Sequence, residues 1–352
     1  GNSIASGGNY NVVVGDEAGT ALTTGDSNVA LGYEALKANT TTSQNTAVGA
    51  GAAGALTTAG GTTAIGRLAM GTGVVTGDHN TAVGYLAGNS LTSGVSNTFV
   101  GTVAGDATTT GNYNTAVGRG SLTSNTTAAS NTAVGYRAGY ANTTGYNIAA
   151  FGNSALYSNT TGALNTSVGD SSLFANTTGG SNTALGRTAL YSNTTASNNT
   201  AVGYQAGYSN TTGTQNTALG RVAMRTNTTG NYNVSVGSVA LYYNTTGSNN
   251  VALGTQALNN NTTASLNTAV GYQAGLANTT AAQGTFVGET AGYSNTTGLG
   301  NTFVGSDSGY LNTTGTRNQF FGKNSGESIT TGSKNSILGA YNGNQGGLDI
   351  RT

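Results

Sequence analysis

Asn199-Thr200-Ala201-Val202-Gly203-Tyr204-Gln205-Ala206-Gly207-Tyr208-Ser209-Asn210-Thr211-Thr212-Gly213 returns, with small changes, along the whole chain. Aligned on Gly203, a glycine recurs every seventeen residues from Gly15 to Gly339, with one step of eighteen between Gly66 and Gly84. Such a period means one small unit copied along an axis, about twenty times, each copy touching only its neighbours. A repeat of this length is too short for a helical hairpin and holds no apolar run at 3.6-residue spacing, so it predicts two or three short strands joined by turns. The expected class is all-β: a repetitive β-solenoid or β-roll.

Counting Asn199 as position one of its coil, Asn holds that position in every coil except those of Thr62, Ile148 and Gly284. Position four is always large and apolar, as in Val134, Val202 and Val270, and is expected to point into the coil and stack on its copies. Position five is the invariant glycine, as in Gly135, Gly203 and Gly271, where the chain must turn with φ > 0 or pass close to a neighbouring backbone. Position three is Ala in most coils but Val13, Phe99, Phe286, Phe303, Phe320 and Ile337 in others. Two adjacent apolar positions face opposite sides of a strand, so the strand is expected to be covered on both faces. Since a coil has one inside, the outer cover is expected from copies of the chain, most simply a homotrimer. Stacked at ~4.8 Å per coil, the repeats would make a rod on the order of 95 Å long.

The composition fits a narrow coil: 58 Gly, no Pro, no Cys, no Trp, and charged residues at 6%. Gly and polar richness alone would also suit a disordered chain, but hydrophobicity fixed to positions argues against that. The extra residue of the long step falls in Gly71-Thr72-Gly73-Val74-Val75-Thr76-Gly77, which reads as a bulge or turn insertion. The repetitive shaft is taken as residues 1–339 and an exit segment as 340–352. The chain starts partway through a coil and without Met, as expected of an excised or mature segment.

Asn-Thr-Thr begins at position twelve in thirteen coils: Asn39, Asn125, Asn142, Asn159, Asn176, Asn193, Asn210, Asn227, Asn244, Asn261, Asn278, Asn295 and Asn312. A short amide suits a turn and can hydrogen-bond to its copies above and below. Each site is also a formal glycan acceptor, so glycans on the Asn row, or O-linked sugars on exposed Thr, are the competing expectation.

The run Asn-Thr-Ala-Val-Gly-x-x-Ala, as at Asn80–Ala87 and Asn267–Ala274, resembles the head repeats of trimeric autotransporter adhesins, and similar repeats are found in bacteriophage tail-fibre shafts. The resemblance covers nearly the whole chain and implies a left-handed parallel β-roll of three chains. It also implies that Asn335 to Thr352 resembles the exit from such a shaft. By period alone, a three-sided single-chain β-helix of about eighteen residues per coil competes. The doubly covered strand favours the trimer.

Little in the sequence suggests chemistry. His79 is the only histidine and falls in the irregular coil, as an exposed loop residue would. Without cysteine there is no disulfide, thiolate nucleophile or Cys-based zinc site. The eleven acids are scattered, with no calcium-binding repeat and no converging carboxylate pair, so neither an enzyme, a metal site nor a cofactor is expected. Position six carries Tyr33, Arg67, Tyr85, Arg119, Tyr136, Arg187, Tyr204, Arg221 and Tyr272. Position ten carries Tyr140, Tyr157, Phe174, Tyr191, Tyr208, Tyr242, Tyr293 and Tyr310. Such rows can stack on sugars or bases, or pack on neighbouring coils. Zero net charge argues against nucleic acid. No apolar run is long enough for membrane insertion. Thr at thirteen and fourteen would alternate faces, against a flat ice-binding plane.

The expected function is a structural fibre shaft, most simply part of a tail fibre that spaces a receptor-binding tip. A cell-surface adhesin or a glycosylated extracellular filament is the alternative. In each case the chain is extracellular, and a host-surface glycan or protein would be contacted by regions outside it.

Overall fold

The computed structural model describes residues 8–343 and is a parallel β-solenoid of about nineteen turns, with no helix among the described residues. Most of the exit segment, residues 344–352, lies outside them. The chain clusters into two compact units, Gly1–Gly180 and Ser181–Thr352. In the first, strands run from β1 (Val12–Val14) to β10 (Thr166–Val168), and in the second from β11 (Thr183–Leu185) to β20 (Ser336–Leu338). Every strand has three residues, positions two to four of the repeat. Each pairs in parallel with its copy one coil away, as Thr132↔Ala149, Ala133↔Ala150 and Val134↔Phe151. The expectation of two or three strands per coil is corrected to one. The remaining positions are stacked turns, yet they keep the ladder: the amides of Gly139, Ala141 and Thr143 donate to the carbonyls of Ala155, Tyr157 and Thr160 at 2.9, 3.0 and 2.9 Å.

The turns explain the glycine. Gly135 has φ of 138° and Arg137 of 53°, and the Ala138 amide reaches back to the Gly135 carbonyl. A hydrogen-bonded turn with positive φ at its third residue is of type II. Position five has a second restraint, because coils stack glycine on glycine. A Cβ built on Gly118 would lie 2.5 Å from the Gly135 carbonyl oxygen. Both reasons offered by the sequence therefore hold. Positions seven and seventeen also take positive φ, although they are mostly not glycine, as at Gln205 (53°) and Asn198 (61°). Each such L-residue costs on the order of 1 kcal/mol.

The strand's facing is the reverse of the expected one. Ala133, Ala201 and Ala269 at position three are fully buried, whereas Val134, Val202 and Val270 at position four are half-buried and face outward. In some coils the outward residue is more exposed, as Leu185 and Leu219 are at 45% and 43%. The physical reason is width: inside the coil, position three meets position nine, as Phe303 meets Gly309, and little volume remains. The described chain itself covers only the position-three face.

That width shows as compensation in size. Where position three is Phe, position nine of the same coil is glycine: Phe99 with Gly105, Phe286 with Gly292, Phe303 with Gly309, and Phe320 with Gly326. A Cβ on Gly309 would sit 2.6 Å from the Phe303 ring. Where position three is Ala or Ser, Leu or Met commonly fills position nine, as in Leu122, Leu173 and Met224, all buried. The Phe303 and Phe320 rings stack at 4.9 Å.

The inserted residue of the long step bulges outward. Val74 is exposed, while Val75 is buried and bridges Leu56, taking the interior place that position twelve holds elsewhere.

Candidate functional site

Two asparagine rows line the interior. Within the coil that starts at Asn131, the side-chain amides of Asn131 and Asn142 both donate to the Gly145 carbonyl, at 2.9 and 2.8 Å. Asn142 Nδ2 also donates to Asn125 Oδ1 one coil away at 3.0 Å, and Asn131 Oδ1 accepts from the Ile148 backbone amide at 3.1 Å. A narrow coil turns some carbonyls inward, and buried carbonyls need donors. Asn supplies two donors and an acceptor on a short stem.

This burial corrects the glycan expectation. Asn39, Asn125, Asn142, Asn159, Asn176, Asn193, Asn210, Asn227, Asn244, Asn261, Asn278, Asn295 and Asn312 are all at most 2% exposed. The Nδ2 atom that would carry a sugar is inside the coil, and a glycan cannot be attached there without opening it. Most of these side chains bond to copies in adjoining coils, as Asn159 Nδ2 does to Asn142 Oδ1 at 2.8 Å. Thr at position thirteen donates to the carbonyl of its copy, as Thr143 Oγ1 to Thr160 O at 2.9 Å, and Thr at position fourteen is exposed.

Outside, three rows are available. The strand face presents position two, usually Thr, and the apolar position four. Position six presents Tyr and Arg; Arg67 lies over Tyr85 and Arg119 over Tyr136, with the charge 5.7 and 5.9 Å from the ring centres. Position ten stacks its rings: Tyr140 on Tyr157 and Tyr157 on Phe174, each at 5.1 Å and nearly parallel. The spacing of one coil sets the spacing of the rings, and packing between coils is what these aromatics do.

Chemistry-bearing groups are sparse. His79 is exposed, in the left-handed turn position before Asn80. Among the described residues no three of His, Cys, Asp or Glu come together to hold a metal, and no helix is long and apolar enough to cross a membrane. Lys37 bridges Glu17 and Glu34; its hydrogen bond holds the Glu34 carboxyl below the usual range, while the two carboxylates push the Lys37 amine up. Burial pushes the Asp106 carboxyl up, and Asp106 Oδ1 has no hydrogen-bond partner.

One surface feature was not singled out from the sequence. A cleft of about 530 Å³ opens where Tyr204, Arg221, Arg225, Tyr242, Tyr243 and Asn259 meet. The signal available was a local change: Arg225 stands at position ten between coils that carry Tyr208 and Tyr242 there, and Tyr243 at position eleven, usually small.

No protein-family model matches the chain, and no curated protein matches it.

Proposed function

We propose that the chain is a structural fibre shaft that works as an assembly of its own copies. The observation that carries this is the outward row of Val, Leu, Ile and Phe at position four, which runs along the strand face of each unit. Leu31, Ile65 and Phe151 belong to the first unit, and Leu185, Leu219 and Leu253 to the second, each more than a third exposed. Exposed apolar surface of such extent marks an interaction site. A second copy has the same rise per coil, so its row meets this one rung for rung, which few other partners could do.

Three copies around an axis is the stoichiometry we infer, from the likeness to trimeric fibre repeats. The role is mechanical and not catalytic: ladders of backbone bonds and buried amides give stiffness and protease resistance without disulfides. An extracellular setting, with a tail fibre that spaces a tip for host attachment, is the form of this role we favour. Glycans on the Asn row have no place in it.

Native mass spectrometry of the full chain tests the proposal, with Val202→Lys, Leu219→Lys and Val236→Lys combined in a second sample. Three copies are expected for the parent chain and one for the variant with its coil intact by circular dichroism. A parent chain that stays single at every concentration overturns it.

A further inference from the structure

The second unit carries a cleft that breaks the repeat at several points together. At position seven Val222 and Val239 line it, where the coils on either side carry Gln205 and Gln256. Arg225 stands at position ten where the coils on either side carry the rings of Tyr208 and Tyr242, and Tyr243 adds a ring at position eleven. Changes from the adjoining coils that cluster on one patch of surface mark where something other than the fold is served.

The groups are held in place. Arg225 Nε donates to Gln205 Oε1 at 3.1 Å and Nη1 to the Tyr242 hydroxyl at 3.2 Å. Its guanidinium lies between the rings of Tyr208 and Tyr242, 5.4 and 5.8 Å from their centres. The Tyr243 ring meets Tyr242 edge-on at 4.6 Å and is half exposed. Asn259 Nδ2 donates to the Val239 carbonyl at 2.8 Å, which leaves its Oδ1 as an acceptor, and Gln256 Oε1 takes the Gln273 amide, which leaves its own Nε2 as a donor.

Charge selects the ligand. No Asp or Glu occurs between Asp170 and Glu289, so Arg221 and Arg225 have no carboxylate in their own or adjoining coils. An exposed aromatic face, fixed amide donors and acceptors, and uncompensated guanidinium together match a pyranose ring bearing a carboxylate. Stacking takes the ring, amides take hydroxyls, and the guanidinium takes the carboxylate with charge-assisted bonds.

We propose that this cleft binds an acidic saccharide on the side of the solenoid. The probes are tetragalacturonate and its methyl ester, which share one sugar chain and differ at the carboxyl groups, charged in the acid and methyl-capped in the ester, titrated calorimetrically against the full chain. Saturable binding of the acid, with a dissociation constant on the order of 0.1–1 mM, and at least about tenfold weaker binding of the ester are expected. Tyr243→Ser and Arg225→Tyr restore residues the repeat uses elsewhere, so they should leave the coil intact and each weaken the acid by about tenfold or more. Equal binding of acid and ester, binding unchanged in both variants, or no saturable binding of the acid up to about 10 mM would overturn the proposal.

Discussion

Asn227 Nδ2 donates to Asn210 Oδ1 at 2.8 Å, one coil away, and the two side chains are buried together inside the second unit. Between two amide neighbours a member of the row is thus donor to one copy and acceptor for another: Asn227 also gives a bond to the Gly230 carbonyl at 3.0 Å and takes one from Asn244 Nδ2 at 2.7 Å. Removing one side chain strands groups in two coils.

Asn227→Ala is therefore expected to destabilise its region by roughly 2–5 kcal/mol, because the stranded acceptors and donor pay their full desolvation cost. Asn227→Leu should cost as well, even though Leu56 and Leu91 hold the same position elsewhere and are buried. Those leucines sit beside Val75 in an apolar stretch of the row, not between two amides. Thermal melting and local hydrogen exchange around residues 205–250 check both variants.

Size compensation gives a coupled prediction. Gly309→Leu should cost about 1–3 kcal/mol by overpacking against Phe303. The backbone itself tolerates Leu, since Leu241 holds position nine with φ of 47°. Adding Phe303→Ala should recover much of the loss, so the double variant ought to be more stable than the sum of the singles, with a coupling of roughly 0.5–3 kcal/mol. Additive effects would mean that the two positions do not share one volume.

Position five should tolerate nothing but glycine. Gly118→Ala is expected to lose at least about 2 kcal/mol, combining left-handed strain with the close approach of the Gly135 carbonyl. The variant's hydrogen exchange should rise in the coils on both sides of Gly118.

Two carboxylates should respond to pH in opposite directions. Lys37 holds Glu34 below its ordinary value, so the bridge stabilises the first coils above the normal glutamate range and is lost as pH falls through the folded value. Burial raises Asp106, so its charged form costs stability at neutral pH, and the cost disappears as pH falls below the folded value. Asp106→Asn should therefore raise the melting temperature near about pH 7 and gain little below about pH 4. Lys37→Ala should increase exchange around residues 17–37 at neutral pH, with the difference fading in acid.

The period, the parallel solenoid and the glycine's two restraints were legible because the glycine returns in every coil from Gly15 to Gly339, with a single step of eighteen. The facing of the strand was not. Val134 looks like the core residue and Ala133 like a surface one, and hydrophobicity alone ranks them that way. The coil's width reverses the order, and that width depends on residues several positions away, among them Leu122, which was not singled out from the sequence. The interior place of Asn142 was half legible: its bonding to copies follows from an amide in register, but an Asn-Thr-Thr motif looks the same whether it faces water or not. The cleft at Arg225 and Tyr243 needed neighbours from four coils at once, which a consensus averages away.

The most direct test uses the absence of cysteine from the chain, which makes a single introduced thiol an unambiguous reporter. Ala133→Cys and Val134→Cys variants, natively folded and mixed with a maleimide, are compared across chain concentrations. The account predicts that the thiol at position 133 stays protected at every concentration, while the thiol at 134 reacts fast in dilute solution and slows as the chains associate. Fast labelling at 133 with protection at 134 would contradict the assignment of inside and outside. Labelling at 134 that ignores concentration would contradict the outward row as the surface on which copies of the chain assemble.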